Sequence, residues 1–220
     1  MKQIFQSLKD GKTSIQNVPC PVCKNGHVLI ASQLSLVSPG TERMLINFGK
    51  SNIIQKAKSQ PDKVRAVIEK TKTDGLSATV EAVRSKLEQP FMPGYCNIGI
   101  VKTSRVKGLK PGDRVVSNGH HAEMVHVSEN LCAKVPKEVE PKEAVFTVIS
   151  SIALQGVRLS NPSLGETYVV IGLGLIGLLT VQILRANGIQ VIGYDFDQKK
   201  EKNYLDKRIE KYDKLGFFKE

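Results

Sequence analysis

The sequence predicts a protein of class α/β plus β, in which an N-terminal β-barrel with a helical insert precedes an incomplete βαβ unit. Three observations lead to this prediction. Short β-type runs separated by tight turns fill the N-terminal part, a helical pattern interrupts them at about 49–90, and a glycine-rich turn joins two apolar runs after residue 166. The predicted domains are 1–155, which includes the insert, and 156–220.

The N-terminal part alternates short apolar runs with turn residues. An Asp-Gly pair at 10–11 separates two such runs and indicates a hairpin. A longer strand is predicted from His27 to a turn cluster at 38–42, and later strands are predicted at 98–101, 114–116 and 123–127. Short strands with tight turns are typical of a compact barrel.

Residues 49–90 have a different pattern. Apolar residues recur at helical spacing on both sides of the Asp-Gly pair at 74–75, which predicts two amphipathic helices. We interpret them as a packed excursion or a contact in a homo-oligomer, and a substrate lid is the alternative. A further helical stretch is predicted from Lys142 to Leu159.

The most specific pattern lies between residues 167 and 195. A β-branched run at 167–171 precedes the sequence GLGLIG at 172–177, and a helical pattern then extends to Ala186. A second β-type run ends at Asp195, 18 residues past Gly177. This order and spacing predict a βαβ unit that binds a dinucleotide. A glycine turn in an ordinary α/β domain is the alternative.

Each glycine of this turn has its own expected role. Gly172 permits the tight turn, Gly174 lets the backbone approach the pyrophosphate, and Gly177 lets the helix and strand pack closely. Backbone N–H groups at the start of the helix, around Leu175 and Ile176, are expected to face the phosphates.

Asp195 bears on the identity of the cofactor. A carboxylate at this position accepts hydrogen bonds from a ribose diol and repels a 2′-phosphate, which favours NAD over NADP. Lys199 and Lys200 are close enough in sequence to keep NADP as the alternative.

Composition limits the possible partners. The chain is 40% hydrophobic and 24% charged, no apolar run approaches the roughly 20 residues needed to cross a bilayer, and residues 1–6 do not resemble a signal peptide. We therefore expect a cytoplasmic protein without membrane contact. The net charge of +11 comes mainly from stretches of mixed sign, which indicates solvated helix faces rather than nucleic-acid binding.

The four cysteines do not predict a metal site. Cys20 and Cys23 form a CxxC pair, but no second pair with zinc-ligand spacing follows. A plain turn is favoured over half of a zinc site or a redox pair.

A barrel, a helical link and a dinucleotide unit in this order resemble the medium-chain dehydrogenase/reductase superfamily. That group is alcohol dehydrogenase-like, with a GroES-like barrel and a Rossmann domain. The matching segments are LKPGDRV at 109–115, Ala122-Glu123 before a strand, 135–144, and Gly165-Glu166. The resemblance implies an NAD(P)-dependent oxidoreductase that transfers a hydride to or from a small carbonyl or alcohol substrate.

The departures from the superfamily concern its chemistry. Zinc-dependent members have a cysteine where Pro39 stands, and a histidine and a glutamate where Tyr95 and Cys96 stand. The resemblance therefore implies a zinc-independent protein, with no catalytic zinc. Thr41 matches a hydroxyl that relays a proton in zinc alcohol dehydrogenases. Tyr95 is a second candidate as an acid or hydrogen-bond donor, with a structural tyrosine as the alternative.

Two adjacent histidines, His120 and His121, follow Asn118-Gly119. Neighbouring residues on a strand point in different directions, so we do not expect them to share one metal ion. Either one of them faces a cleft or both lie in a surface turn.

The insert and the sequence PGTER at 39–43 are similar to a narrower subgroup. Its members join an alcohol dehydrogenase-like half to a glucose–fructose oxidoreductase-like domain and are associated with surface polysaccharide synthesis, which implies a sugar-related substrate. A complete Rossmann domain has about six strands. We therefore expect a C-terminally truncated chain, in which 198–220 could add one helix. The alternative function is a non-catalytic nucleotide-binding or assembly module.

Overall fold

The computed structural model describes residues 1–196, without the side chain of Ile53. The helix considered at 198–220 lies outside the described residues. Two compact units are present, one comprising residues 1–145 and the other beginning at Phe146. The domain boundary at 155/156 stays a prediction.

The first unit contains two antiparallel sheets. Strands β1 (Lys2–Gln6) and β2 (Thr13–Asn17) form the predicted hairpin. The other sheet contains β3 (His27–Ser35), β4 (Asn97–Ser104), β5 (Arg114–Ser117), β6 (Met124–Ser128) and β7 (Cys132–Lys134). Their order is β6-β3-β4-β5-β7. The strands predicted in this region are confirmed.

The sheet of the predicted barrel is not closed within the described residues. β6 pairs only with β3 and the three-residue β7 pairs only with β5, so the two edges of the five-stranded sheet do not meet. The hairpin joins the rest of the unit through two isolated bridges, Gln3 with Ala122 and Gln6 with Phe91.

The core of the first unit lies on one face of the five-stranded sheet. Val28 and Ile30 alternate along β3 and are completely buried, as is Val115 on β5. Because strand side chains alternate between faces, this two-residue period places the β-branched residues together against Val101 and Val125.

The helical insert begins earlier than predicted. The four helices are α1 (Pro39–Lys50), α2 (Ile53–Ser59), α3 (Pro61–Asp74) and α4 (Leu76–Glu88). The predicted turn at 38–42 is therefore wrong. Pro39 suits the first position of a helix and Glu42 accepts a hydrogen bond from the backbone N–H of Ser38, so these residues start α1. Gly75, with φ +82°, separates α3 from α4.

The predicted helix at 142–159 is two helices. A short helix α5 (Pro141–Ala144) ends the first unit, and α6 (Thr147–Ser160) lies in the second. Asn161 in the left-handed conformation (φ 47°) ends α6.

The predicted βαβ unit is confirmed. It consists of β8 (Thr167–Ile171), α7 (Leu175–Ala186) and β9 (Gln190–Tyr194), with β8 and β9 parallel. Helices α6 and α7 pack together, and Val157 of α6 joins Leu184 of α7 in a buried cluster beside Val170 and Val191. The glycine loop lies between β8 and α7, at the carboxyl end of the sheet. Within residues 1–196 no helix has the length and apolarity needed to span a membrane.

Candidate functional site

The glycine loop turns the chain sharply from β8 into α7. Gly172 has φ +93°, which favours glycine, and its N–H donates to the carbonyl of Tyr194 at 2.7 Å. Gly174 is the N-cap of α7, and its carbonyl accepts from the N–H of Leu178 at 2.9 Å. Gly174 has no side chain with which to cap the helix, so the first-turn amides are open to an external acceptor.

Gly177 allows the tightest approach in this loop. A Cβ at this position would overlap the carbonyl oxygen of Gly172 and would lie 3.7 Å from Cγ1 of Val170. The close packing expected between helix and strand is thus mainly packing between the helix and the loop backbone. A Cβ at Gly174, in contrast, would meet no atom within 4 Å. The loop therefore leaves open space at Gly174, the position expected to let the backbone approach a pyrophosphate.

Asp195 lies beside the loop. Its Oδ2 accepts a hydrogen bond from the backbone N–H of Leu173 at 2.8 Å. The Leu173 side chain is completely buried and packs over Gly193, where a Cβ would lie 2.9 Å from its Cδ2. The structure thus brings the glycine turn and the acid together at one end of β8 and β9.

These features fit the adenosine part of a dinucleotide. The site combines a helix N-terminus with partial positive charge, a backbone that a phosphate can approach, and a carboxylate at the end of the second strand. Leu175 and Ile176 occupy the first two positions of α7, so their amides are at the helix start.

A second group of polar residues occurs in the first unit, around His121. Its Nδ1 lies 2.8 Å from Oγ of Ser35, and its Nε2 lies 3.2 Å from Oε2 and 3.3 Å from Oε1 of Glu42. The His121 side chain is 5% exposed and that of Glu42 is 12% exposed. The surface-turn alternative is therefore wrong for His121.

Backbone contacts on both sides hold His121 in position. Its N–H donates to the carbonyl of Pro93 at 3.0 Å, and its carbonyl accepts from the N–H of Ile4 at 3.0 Å. The ring packs on Gly94, where a Cβ would lie 2.7 Å from the His121 nitrogen and 2.8 Å from its Cγ. Nδ1 of His120 lies 2.9 Å from the carbonyl oxygen of Gly94.

Glu42 is oriented by the start of α1. Its Oε1 accepts from the N–H of Ser38 at 2.9 Å, and a carboxylate in the first turn is favoured by the helix dipole. Glu42 and His121 border a cavity of about 200 Å³. The other lining residues are largely apolar: Ile4, Gln6, Thr13, Val37, Leu45, Ile46 and Pro93.

The two residues predicted to be catalytic lie next to this group in sequence. Thr41 is exposed in the first turn of α1 and precedes Glu42. Tyr95 is half-buried in the segment before β4 and follows Gly94. Their catalytic roles stay predictions.

Sequence reasoning missed the contact of Ser35 and Glu42 with His121. His121 is 86 positions from Ser35 and 79 positions from Glu42, so no local pattern relates them. The available signals were the position of Glu42 within PGTE and that of His121 directly before Ala122-Glu123.

The two cysteines of the CxxC sequence differ in exposure. Cys20 is exposed, whereas Cys23 is buried with its Sγ 3.3 Å from the carbonyl oxygen of His27. Within residues 1–196, no three His, Cys, Asp or Glu side chains converge as ligands for a metal ion. Cys96 is completely buried and belongs to no group of metal ligands in that range. The described residues therefore do not fit a catalytic zinc.

The sequence is similar to alcohol-oxidising enzymes. No protein-family model matches the chain. It is 37% identical over 70 residues to the (R,R)-butanediol dehydrogenase of Bacillus subtilis, a match that covers 32% of this chain and 20% of that enzyme. It is 23% identical over 196 residues to an alcohol dehydrogenase of Moraxella sp., covering 71% of this chain and 58% of the relative.

Solved structures share the fold. Galactitol-1-phosphate dehydrogenase from Escherichia coli matches with a TM-score of 0.67 and 17% identity over 91% of this chain and 57% of that one. The quinone oxidoreductase of Thermus thermophilus, also solved with NADPH, has a TM-score of 0.59 and 21% identity. The match covers 91% of this chain and 54% of that one. The chain thus has the fold of alcohol dehydrogenase-like oxidoreductases and spans little more than half of these structures.

Proposed function

We propose that the chain is an NAD(P)-dependent, zinc-independent oxidoreductase of the alcohol dehydrogenase-like type, acting on a small carbonyl or alcohol substrate. The observation that carries the proposal is the glycine loop at 172–177 with Asp195 bound to the amide of Leu173. The similarity to alcohol and butanediol dehydrogenases supports the same class of reaction.

The residues of the second unit would hold the adenosine part of the cofactor. Amides at the start of α7 and the space above Gly174 would receive the pyrophosphate, while Asp195 would accept hydrogen bonds from the ribose diol. The carboxylate favours NAD, because a 2′-phosphate would be repelled. When bound, the nicotinamide supplies or takes up a hydride.

Residues of the first unit would bind the substrate oxygen. The hydroxyls of Thr41 and Tyr95 are the predicted hydrogen-bond donors, and neither depends on a metal ion. The similarity of PGTER at 39–43 to the bimodular subgroup favours a sugar-related substrate.

Calorimetric titration with NADH and NADPH tests the cofactor site, and turnover over a panel of ketones, aldehydes and sugar derivatives tests the reaction. Gly174→Val, which would fill the space beside the loop, should abolish NADH binding. Gly156→Ala in α6 is the control, because an added Cβ there would meet no atom within 4 Å. Gly165 is not used for this purpose, because its φ of +85° disfavours any side chain. Absence of NADH and NADPH binding by a folded chain would refute the proposal.

A non-catalytic nucleotide-binding or assembly module is the second proposal. It is favoured by exposed apolar residues on α4, where Leu76 is 69% and Val80 is 58% exposed. Saturable NADH binding without turnover on any substrate of the panel would favour this second function over the first.

A further inference from the structure

Three side chains form a continuous hydrogen-bonded path from the surface of the first unit to its interior. The path runs from exposed Ser35 through buried His121 to Glu42, with contacts of 2.8 Å and 3.2 Å. A hydroxyl held by an imidazole that is itself oriented by a carboxylate is the arrangement that activates a hydroxyl for proton transfer.

The partners of His121 determine where its proton lies. An ionised carboxylate can only accept hydrogen bonds, so Glu42 places the proton of a neutral ring on Nε2. Nδ1 is then the acceptor, and the Ser35 hydroxyl donates to it. This polarity prepares Ser35 to pass its proton inward.

The path is held in this geometry before any substrate arrives. The backbone of His121 is hydrogen-bonded to Pro93 and Ile4, and Glu42 is fixed by the N–H of Ser38. The Nε2 of the ring already lies 3.2 Å from the Glu42 carboxylate, so the ring and the carboxylate need not move toward each other. Little reorganisation is therefore needed when the proton moves.

We infer that Ser35 is the residue that exchanges a proton with the substrate oxygen, and that His121 and Glu42 are its positioning residues. This inference rests on the proposed oxidoreductase function. During alcohol oxidation, the substrate O–H proton passes to Oγ of Ser35 while the Ser35 proton passes to Nδ1 of His121. The substrate O–H bond is broken, an N–H bond forms, and Ser35 ends unchanged. A bound nicotinamide would take up the substrate hydride, and the imidazolium would return its proton to water through exposed Ser35.

A cofactor-free experiment tests the activation of Ser35. The chain is treated with a fluorophosphonate probe, and the labelled peptide is identified by mass spectrometry. We expect labelling at Ser35 and at least a tenfold slower rate in His121→Gln, whereas Ser77→Ala on α4 should label like the wild type. Labelling of other serines only, or an unchanged rate in a folded His121→Gln, would overturn the inference.

Kinetics with NADH and a carbonyl substrate test the catalytic role. General acid–base groups contribute about 10² to 10⁴ in rate, so kcat of Ser35→Ala should fall at least about 100-fold. Ser35→Thr, which keeps the hydroxyl, should recover most of kcat. Glu42→Asp should retain more kcat than Glu42→Gln, because only the aspartate keeps the charge beside His121. The Kd for NADH should stay the same throughout.

The outcomes separate the two proposals. Wild-type turnover in Ser35→Ala would overturn this inference and leave the oxidoreductase function standing. Failure of NADH and NADPH to bind would overturn both. NADH binding without turnover would overturn the catalytic role of Ser35 in this chain. Because Ser35 is exposed, its variants are expected to fold even if substitutions at buried His121 do not.

Discussion

The carboxylate of Asp195 accepts a hydrogen bond from the backbone amide of Leu173 at 2.8 Å. This contact ties the residue after β9 to the glycine loop before α7. The group expected to bind the ribose therefore also helps to shape the loop that is expected to face the pyrophosphate.

Asp195→Asn should weaken NADH binding more than NADPH binding. Loss of the charge weakens hydrogen bonds from the ribose diol, which are worth about 1.5–3 kcal/mol each for a charged acceptor, and removes repulsion of a 2′-phosphate. Titration calorimetry should show the Kd for NADH rising about tenfold or more. Glu166→Gln, before β8, is the control and should bind like the wild type. An unchanged ratio of the two affinities would contradict the assignment of Asp195.

Gly177→Ala should destabilise the second unit and weaken NADH binding together. The new Cβ would overlap the Gly172 carbonyl oxygen, and overpacking of this kind costs about 1–3 kcal/mol. Urea unfolding followed by circular dichroism measures the loss. Gly156→Ala has open space around it in α6 and should gain up to about 1 kcal/mol from helix propensity. Equal stabilities of these two variants would show that Gly177 is packed less tightly against the Gly172 carbonyl than the structure indicates.

Protonation of Asp113 should lower the free energy of unfolding at acid pH. Hydrogen bonds from Lys134 at 2.7 Å and from the backbone N–H of Lys110 at 3.0 Å lower the pKa of Asp113 below its ordinary value of 3.8. Because the pKa of Asp113 is lower in the folded state, its ionised form stabilises the fold. This stabilisation is complete above about pH 3.8, the ordinary pKa, and is lost as the pH falls through the folded-state pKa.

Urea midpoints of the wild type and Asp113→Asn between pH 7 and pH 2 measure this effect. The difference in urea midpoint between the wild type and Asp113→Asn should be constant at neutral pH and should narrow below about pH 4. Asp62→Asn, in the first turn of α3, serves as a control outside this ion pair. A difference that widens on acidification would contradict the predicted sign.

Cys132 should react slowly with thiol reagents at pH 8. Burial raises the pKa of Cys132 to about 11, so only about one molecule in a thousand carries the reactive thiolate at that pH. Cys20 is exposed and should be alkylated first, as peptide mapping over time would show. Cys20→Ser should remove the fast phase, and guanidinium should make Cys132 reactive. Early labelling of Cys132 in the folded chain would contradict its burial.

Local patterns predicted the elements of the fold with good accuracy. The strand beginning at His27, the Asp-Gly hairpin and the GLGLIG turn each depend on neighbouring residues, and all three are confirmed. Where the predictions are wrong, a distant or competing contact decided the outcome. PGTE was predicted as a turn because Pro and Gly favour turns, but the Glu42 carboxylate also starts a helix and is held by Ser38 and His121.

The sequence by itself determined the βαβ unit, because its strands, glycine loop and acid follow one another within 29 residues and obey local periodicity. It also determined the superfamily-level resemblance, which rests on short motifs. Only the tertiary structure decided that the strands of the first unit form an open sheet, because closure depends on which edges meet. It alone placed His121 between Ser35 and Glu42, since their contact joins residues 79 and 86 positions apart and no sequence period encodes such a distance.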